Sequence, residues 1–196
     1  MTQRVVFLNG PPGSGKDTIG LAMLRRYDFV RLYEMKMPMD RALRAFFDMD
    51  ATSWQAWEQN KNVQLSAVNG IPFDTTQSLR DIKIAFSEMF AKVVFGREVF
   101  GHLAVERMKR STAPTLTIIT DSGFFQEAEP IIHHIGIRNC MLIHLYRPEH
   151  TFINDSRGYW NMLGLYTIDA HNNIELPMFI DLVDHVVMKW MNAPRV

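Results

Sequence analysis

The chain is poor in cysteine, in net charge and in long apolar runs, and each shortage excludes something. A single cysteine among 196 residues rules out a disulfide framework and a thiolate metal cluster. Cys140 lies in an apolar run and reads as a buried strand residue rather than a nucleophile or ligand, a usage that suits a reducing cytosol. Lys plus Arg balances Asp plus Glu at 21 each, so the molecule as a whole has no field to draw nucleic acid or an anionic membrane. A local basic cleft is compatible with that balance. No apolar stretch reaches the ~20 residues that span a bilayer, and no export signal is expected, because the N-terminus runs straight into a strand. Internal repeats, low-complexity runs and shifts of composition are also missing. One domain over 1–196 is therefore expected, large enough to bury about 70% of its unfolded surface without disulfides or a structural metal.

What the chain does contain begins at residues 4–18. Arg4 to Leu8 is an apolar strand pattern; Gly10, Gly13 and Gly15 then supply a tight turn, and a helix opens at Lys16. Gly10, four residues and Gly15-Lys16 fit a phosphate-binding loop. Asp17 stands where a serine or threonine usually follows the lysine, and Thr18 comes one place later. Backbone N–H groups of such a turn and the unpaired N–H groups of the new helix converge on one point, where the helix dipole also favours negative charge. Lys16 would reach the β- and γ-phosphates of a bound nucleotide. An ordinary turn between strand and helix would not need three glycines and a lysine.

A helix over about 16–27 and a second strand over 29–35 continue the pattern. Helices are expected over 39–48 and 52–60, the second with Trp54 and Trp57 on one face, either as core anchors or as an aromatic wall against an acceptor base. Gly70-Ile71-Pro72 reads as a loop, with Asp74 or Thr75 capping the helix that follows. Over 77–94, Leu79, Ile82, Phe86, Met89, Phe90 and Val93 form one apolar stripe. Arg80, Lys83 and Ser87 share another face, suited to an anion or simply solvated, with Glu88 and Lys92 as an i, i+4 pair. Gly96-Arg97 is a corner before a helix over 98–110. Residues 116–121 form a third strand that brings Asp121 to its carboxyl edge, near the loop in a parallel sheet and able to hold Mg²⁺ directly or through water. His133 and His134 are adjacent on a helix over 126–135 and point apart, so both are read as structural. Strands over 139–146 and 165–170 and a helix over 176–190 close the chain. Between them, Arg147 and the stretch Thr151 to Trp160, with Arg157, look like a lid whose two arginines would neutralise a phosphoryl group in flight; a surface loop with ordinary salt bridges is the alternative.

With these residues placed, the chain resembles small P-loop kinases of the nucleoside monophosphate kinase group, most of all the phage-encoded deoxynucleoside monophosphate kinases. The likeness spans nearly the whole length. Its pieces are Leu8 to Thr18, Leu32 to Pro38 entering a helix, the Arg80 helix running to Phe95-Gly96-Arg97-Glu98, and Ile119 to Phe124 before Glu127-Ala128. It implies an α/β three-layer P-loop NTPase sandwich with a parallel sheet of about five strands, a helical acceptor-binding insert over about 39–110 and a lid over about 148–160. It also implies ATP with Mg²⁺ on Gly10, Pro12, Gly13, Ser14, Gly15, Lys16, Asp17 and Thr18. Thr18 would bind the α-phosphate, and Asp17 and Asp121 would face the metal or its waters. Lys16, Asp121, Arg147 and Arg157 would be the catalytic set, and Glu34, Lys36, Arg80 and Arg97 the acceptor contacts, the arginines because they bind phosphate bidentately. The implied activity is phosphoryl transfer to a deoxynucleoside monophosphate in phage DNA precursor metabolism, in the host cytoplasm. A homodimer is compatible with the pattern.

The lid reads Asn154-Asp155-Ser156-Arg157-Gly158-Tyr159, whereas that group places a histidine near a Ser-Glu pair, and this opens a second reading. Related phage kinases phosphorylate 5-hydroxymethyluracil within DNA. The acceptor would then be a base hydroxyl, with Asp121, Glu34 or Asp155 removing its proton and Trp54, Trp57, Tyr159 and Trp160 stacking on bases. A nucleotide-gated switch or binding module is the non-enzymatic alternative; the paired arginines and Asp121 weigh against it.

Overall fold

The computed structural model describes residues 3–68, 70–110, 116–153 and 155–193, with the backbone alone for 73–75. Its centre is β1 (Arg4–Asn9), in which Val5, Val6, Phe7 and Leu8 are all buried, as an apolar strand covered on both faces requires. The chain continues through α1 (Lys16–Arg26), β2 (Val30–Tyr33), α2 (Met37–Phe46), α3 (Ala51–Gln59), β3 (Gln64–Val68) and β4 (Ile71–Ser78). Next comes one long helical arm, α4 (Leu79–Ala85), a π-helical segment (Phe86–Ala91) and α5 (Lys92–Phe95). The remaining elements are α6 (Val99–Lys109), β5 (Leu116–Ile119), α7 (Phe125–Ile135), a 3₁₀ turn (Ile137–Asn139), β6 (Cys140–Tyr146), β7 (Tyr166–His171) and α8 (Leu176–Asn192).

Five strands form one parallel sheet in the order β2-β5-β1-β6-β7. The strand order therefore reverses on either side of β1, and the loop leaving β1 sits in the crevice that such a switch creates. One face of the sheet is covered by α1 and α8 through Ile19, Met23, Phe179, Val183 and Val187. The opposite face carries α6, α7 and the insert helices through Phe100, Ala104, Ile131, Leu43 and Trp57. This three-layer α/β arrangement with a five-stranded parallel sheet is the expected one, and Cys140 is a buried β6 residue. Trp54 and Trp57 are core anchors, both buried and in edge-to-face contact at 5.6 Å between ring centroids. His133 and His134 are exposed. Among the described residues no helix is long and apolar enough to cross a membrane.

Two parts of the insert depart from the sequence reading. The stretch expected to be a loop with an Asp74 or Thr75 cap is an antiparallel hairpin of β3 and β4, with Val68 opposite Ile71 and Leu65 opposite Gln77. Both strands are edges, so Pro72 is tolerated. The cap is instead Ser78: its Oγ accepts from the Asp81 N–H at 3.2 Å, and the Asp81 carboxylate accepts from the Ser78 N–H at 3.0 Å. The second departure is the π segment. It adds a residue to the turn and rotates the remainder of the arm, so Ser87 and Ala91 face inward while Met89 and Val93, expected inside, are 76% and 72% exposed.

The Ser78 cap yields a direct test. Ser78→Ala leaves a helix start unsatisfied beside the core residue Leu79 and is expected to destabilise the fold by about 1 kcal/mol, read as a lower midpoint in thermal unfolding.

Candidate active site

The loop leaving β1 is shaped by its glycines and closed by its lysine. Gly13 has φ of +78°, and a Cβ there would lie 2.5 Å from His150 Cδ2, so backbone conformation and neighbour both demand glycine. Lys16 Nζ donates to the carbonyls of Gly10 at 2.7 Å and Pro11 at 2.8 Å. Helix α1 starts at Lys16 with Gly15 as its N-cap and no side-chain cap. Its first N–H groups are thus left for an anion. Asp17 and Thr18 are exposed in that first turn, and Ser14 is buried beneath it.

Three strand ends hold this loop in place. Asn9, the last residue of β1, donates from Nδ2 to the carbonyls of Ser122 at 2.9 Å and Gly158 at 3.1 Å. Arg147, just past β6, donates to the Gly13 carbonyl at 2.7 Å. Asn172, just past β7, donates from Nδ2 to the Ser14 carbonyl at 3.1 Å. His150 and Asn172 were not singled out from the sequence; neither has a motif, and only the parallel order of β6 and β7 brings them to the loop.

Asp121 lies beyond β5 and engages both carboxylate oxygens. Oδ1 accepts from the Met35 N–H at 2.9 Å and Oδ2 from the Lys36 N–H at 3.1 Å. Burial pushes its carboxyl up, against those N–H groups, which favour the ionised form. Asp121 therefore pins the turn that starts α2, and its remaining lone pairs are what it has for a metal water. Glu34 is likewise raised, by burial first and then by the charges of Asp121, Asp40 and Asp17, which places these four carboxylates around one region. Among the described residues no three His, Cys, Asp or Glu side chains are grouped to hold an ion by themselves. This donor set fits Mg²⁺, which keeps several waters and takes one or two carboxylates together with phosphate oxygens.

The cations are distributed differently from the expectation. Lys83 is paired with Glu58 and, at 2.8 Å, with Asp40, so the face of Arg80, Lys83 and Ser87 is not an open anion site; Ser87 is buried. Arg80 reaches Asp155 at 3.5 Å, and Asp155 is held by Arg157 through Nε at 2.8 Å and Nη2 at 2.6 Å. Lys92 is no surface partner of Glu88 alone: its ammonium also lies 3.1 Å from the fully buried Glu127 and 3.7 Å above the Phe124 ring. Lys36 points to the same ring at 5.3 Å, and burial pushes its ammonium down. Arg97 is exposed at a cleft of about 180 Å³ that it shares with Glu88, Lys92, Val93, Phe124 and Gln126. A separate cleft of about 310 Å³, lined by His144, Tyr146, Tyr159, Asn161, Thr167, Ile168 and Asp169, contains no residue of the loop over 10–18. Trp160, offered as a stacking surface, is buried, and its indole N–H donates to the Ser122 carbonyl at 3.0 Å. Asn154 of the lid lies outside the described residues.

No protein-family profile matches the chain, and no curated protein matches it. Among solved structures, it superposes on TT1252 of Thermus thermophilus with a TM-score of 0.51 at 13% identity, over 98% of this chain and 100% of that one. It superposes on a sugar kinase of Janibacter sp. HTCC2649 with a TM-score of 0.43 at 12% identity, over 97% of this chain and 95% of that one. The first likeness supports the fold, and at that identity nothing further.

The loop lysine carries a pH signature. The Lys16 ammonium is held down to about 8, by burial first and by the Arg157 guanidinium second, against the pull of Asp17, Asp155 and Asp121. Bound phosphates favour the protonated amine. Affinity of this loop for a phosphate ligand, tested with ATP, is therefore expected to be flat below that pH and to weaken by about tenfold per pH unit above it, with proton uptake on binding, measured by titration calorimetry in buffers of different ionisation enthalpy.

Proposed function

We propose that the chain is an ATP-dependent phosphotransferase that passes the γ-phosphate of ATP, with Mg²⁺, to a nucleotide-type acceptor, in first place a deoxynucleoside monophosphate of phage DNA precursor metabolism. The observation that carries this reading is the convergence of cations from three separate elements. Lys16 comes from the loop, Arg157 from the lid near enough to depress the Lys16 ammonium, and Arg80 from the insert through the shared Asp155. A module that only bound a nucleotide would have no use for positive charge supplied from an insert and a lid. In this reading an acceptor phosphate oxygen attacks the γ-phosphorus, the bond to the β–γ bridging oxygen breaks, and ADP leaves. No covalent enzyme intermediate and no general base are needed for that nucleophile. Lys16, Arg147 and Arg157 stabilise charge on the equatorial oxygens, Asp17 and Asp121 face the Mg²⁺ waters, and Arg80, Arg97, Lys36 and Glu34 border the acceptor.

The burial of Trp54, Trp57 and Trp160, three of the four rings considered for stacking, supports the free nucleotide over a DNA acceptor, and leaves only Tyr159, 37% exposed, to meet a base. The test offers labelled ATP with a panel of deoxynucleoside monophosphates and, separately, duplex DNA containing 5-hydroxymethyluracil. Label is expected in a mononucleotide; label in the DNA alone would sink the leading reading, and hydrolysis that ignores every acceptor would favour a nucleotide switch. Lys16→Ala is expected to lower transfer by at least about a hundredfold with an unchanged circular-dichroism spectrum. Unchanged turnover in that variant would remove the loop from the mechanism.

A further inference from the structure

We propose that Asp155 is a positioning residue of the transfer reaction: its carboxylate spans the lid guanidinium of Arg157 and the insert guanidinium of Arg80, and so fixes where the two meet the phosphoryl group and its acceptor. The inference rests on the kinase reading and adds to it a residue whose charge acts only through two others.

The geometry is that of a built clamp. Arg157 grips both carboxylate oxygens in a side-on fork, and its own N–H donates to Oδ1 at 3.0 Å, so three hydrogen bonds hold Asp155 against one residue. The side chain of Asp155 is 7% exposed, against 23% for Arg157 and 40% for Arg80. The shielded member of the trio is thus the anion, and both cations keep an open side. Its carboxyl is held down to about 2, chiefly by the Arg157 hydrogen bonds, so it remains ionised throughout the working range of a cytosolic enzyme. The route of Arg157 is fixed as well. A Cβ at Gly123 would lie 2.3 Å from Arg157 Cδ, so the arginine stem lies on a glycine directly after the Asp121-Ser122 strand end. Arg80 is placed by the first turn of α4, where its N–H donates to the Lys61 carbonyl at 2.9 Å.

Without the carboxylate, the two guanidiniums would lose the anion they share, Arg157 would keep only the charges of Asp121 and Glu127, and the arginines would repel each other. Asp155 prevents this and leaves each guanidinium with free donors for phosphate oxygens. A purely structural staple would hold the lid but leave the chemistry unchanged. A latch that competes with the substrate would instead slow it.

The Asp155→Asn variant separates these roles, because the amide keeps the shape and removes the charge. Acceptor-dependent ADP formation by wild type and variant is measured together with ATP affinity by calorimetry. We expect kcat to fall by at least about tenfold and the acceptor KM to rise, with the dissociation constant of ATP within about twofold of wild type. Asp155→Glu, which keeps the charge on a longer stem, is expected to recover part of kcat, and Arg80→Ala in the Asn background to cost less than it does alone. Should the Asn variant not fold, the Glu variant and Arg80→Ala still report: both must lower kcat while sparing ATP affinity. A wild-type kcat and acceptor KM in Asp155→Asn overturns the assignment, and a higher kcat identifies a latch instead. Absence of transfer by the wild type to every acceptor overturns the kinase reading and this assignment with it, whereas intact transfer in the variant overturns the assignment alone.

Discussion

The carbonyl oxygen of Ser122 accepts two hydrogen bonds inside the protein, from Asn9 Nδ2 at 2.9 Å and from Trp160 Nε1 at 3.0 Å, and the arrangement of the cleft depends on it. Asn9 ends the strand that launches the phosphate loop, Ser122 comes directly after Asp121 at the end of β5, and Trp160 closes the lid. A buried polar group left unpaired costs more than its bond contributes when made, so these three chain segments are bound to one mutual geometry. Ser122 adds a further tie through its hydroxyl, which donates to the Leu8 carbonyl at 2.9 Å. The carboxylate of Asp121 then carries the same frame outward to Met35 and Lys36, and so to the insert. Loop, lid and insert are thereby referenced to the end of a single strand.

On that frame two groups of charges stand out, which a chain of zero net charge conceals. Asp121, Asp40 and Asp17 act on Glu34 around the start of α2, where Lys83 pairs with Asp40 at 2.8 Å, while Lys16, Arg157 and Arg80 stand on the loop, lid and insert sides with Asp155 between them. Such a division suits a reaction that moves negative charge between two nucleotides: metal-bound waters are attracted to the carboxylates, and phosphoryl oxygens to the cations. The lysine is the most exposed to this balance energetically, since burial and a neighbouring guanidinium both oppose its charge until an anion arrives.

The centre of the sheet was legible because β1, β5 and β6 are apolar runs buried on two faces, a pattern that needs no context, and the loop was legible because glycines, lysine and helix start coincide. The hairpin of β3 and β4 was not, since Gln64 to Ser78 has mixed polarity and Pro72 argues against a strand unless both strands are edges. The π segment was invisible for another reason: Leu79 to Val93 satisfies a regular helical stripe, and only packing against the body reveals that Met89 and Val93 point away from it. The sharpest failures concern charged side chains. Lys83 and Lys92 looked like surface residues because helical spacing reports neighbours on the same helix, whereas their deciding partners, Asp40 and Glu127, come from distant elements. Arg157 was picked out by its place after a strand end, but nothing in the spacing joined it to Arg80.

In the proposed enzyme, donor and acceptor share one cleft, joined by cations of the loop, lid and insert. The most direct measurement is calorimetric titration with a bisubstrate compound that links adenosine to a deoxynucleoside through a phosphate chain. A shared cleft predicts one molecule bound per chain, tighter than ATP alone by at least about tenfold, and weakened both by Lys16→Ala and by Arg80→Ala. Binding no tighter than ATP and indifferent to Arg80 would contradict it.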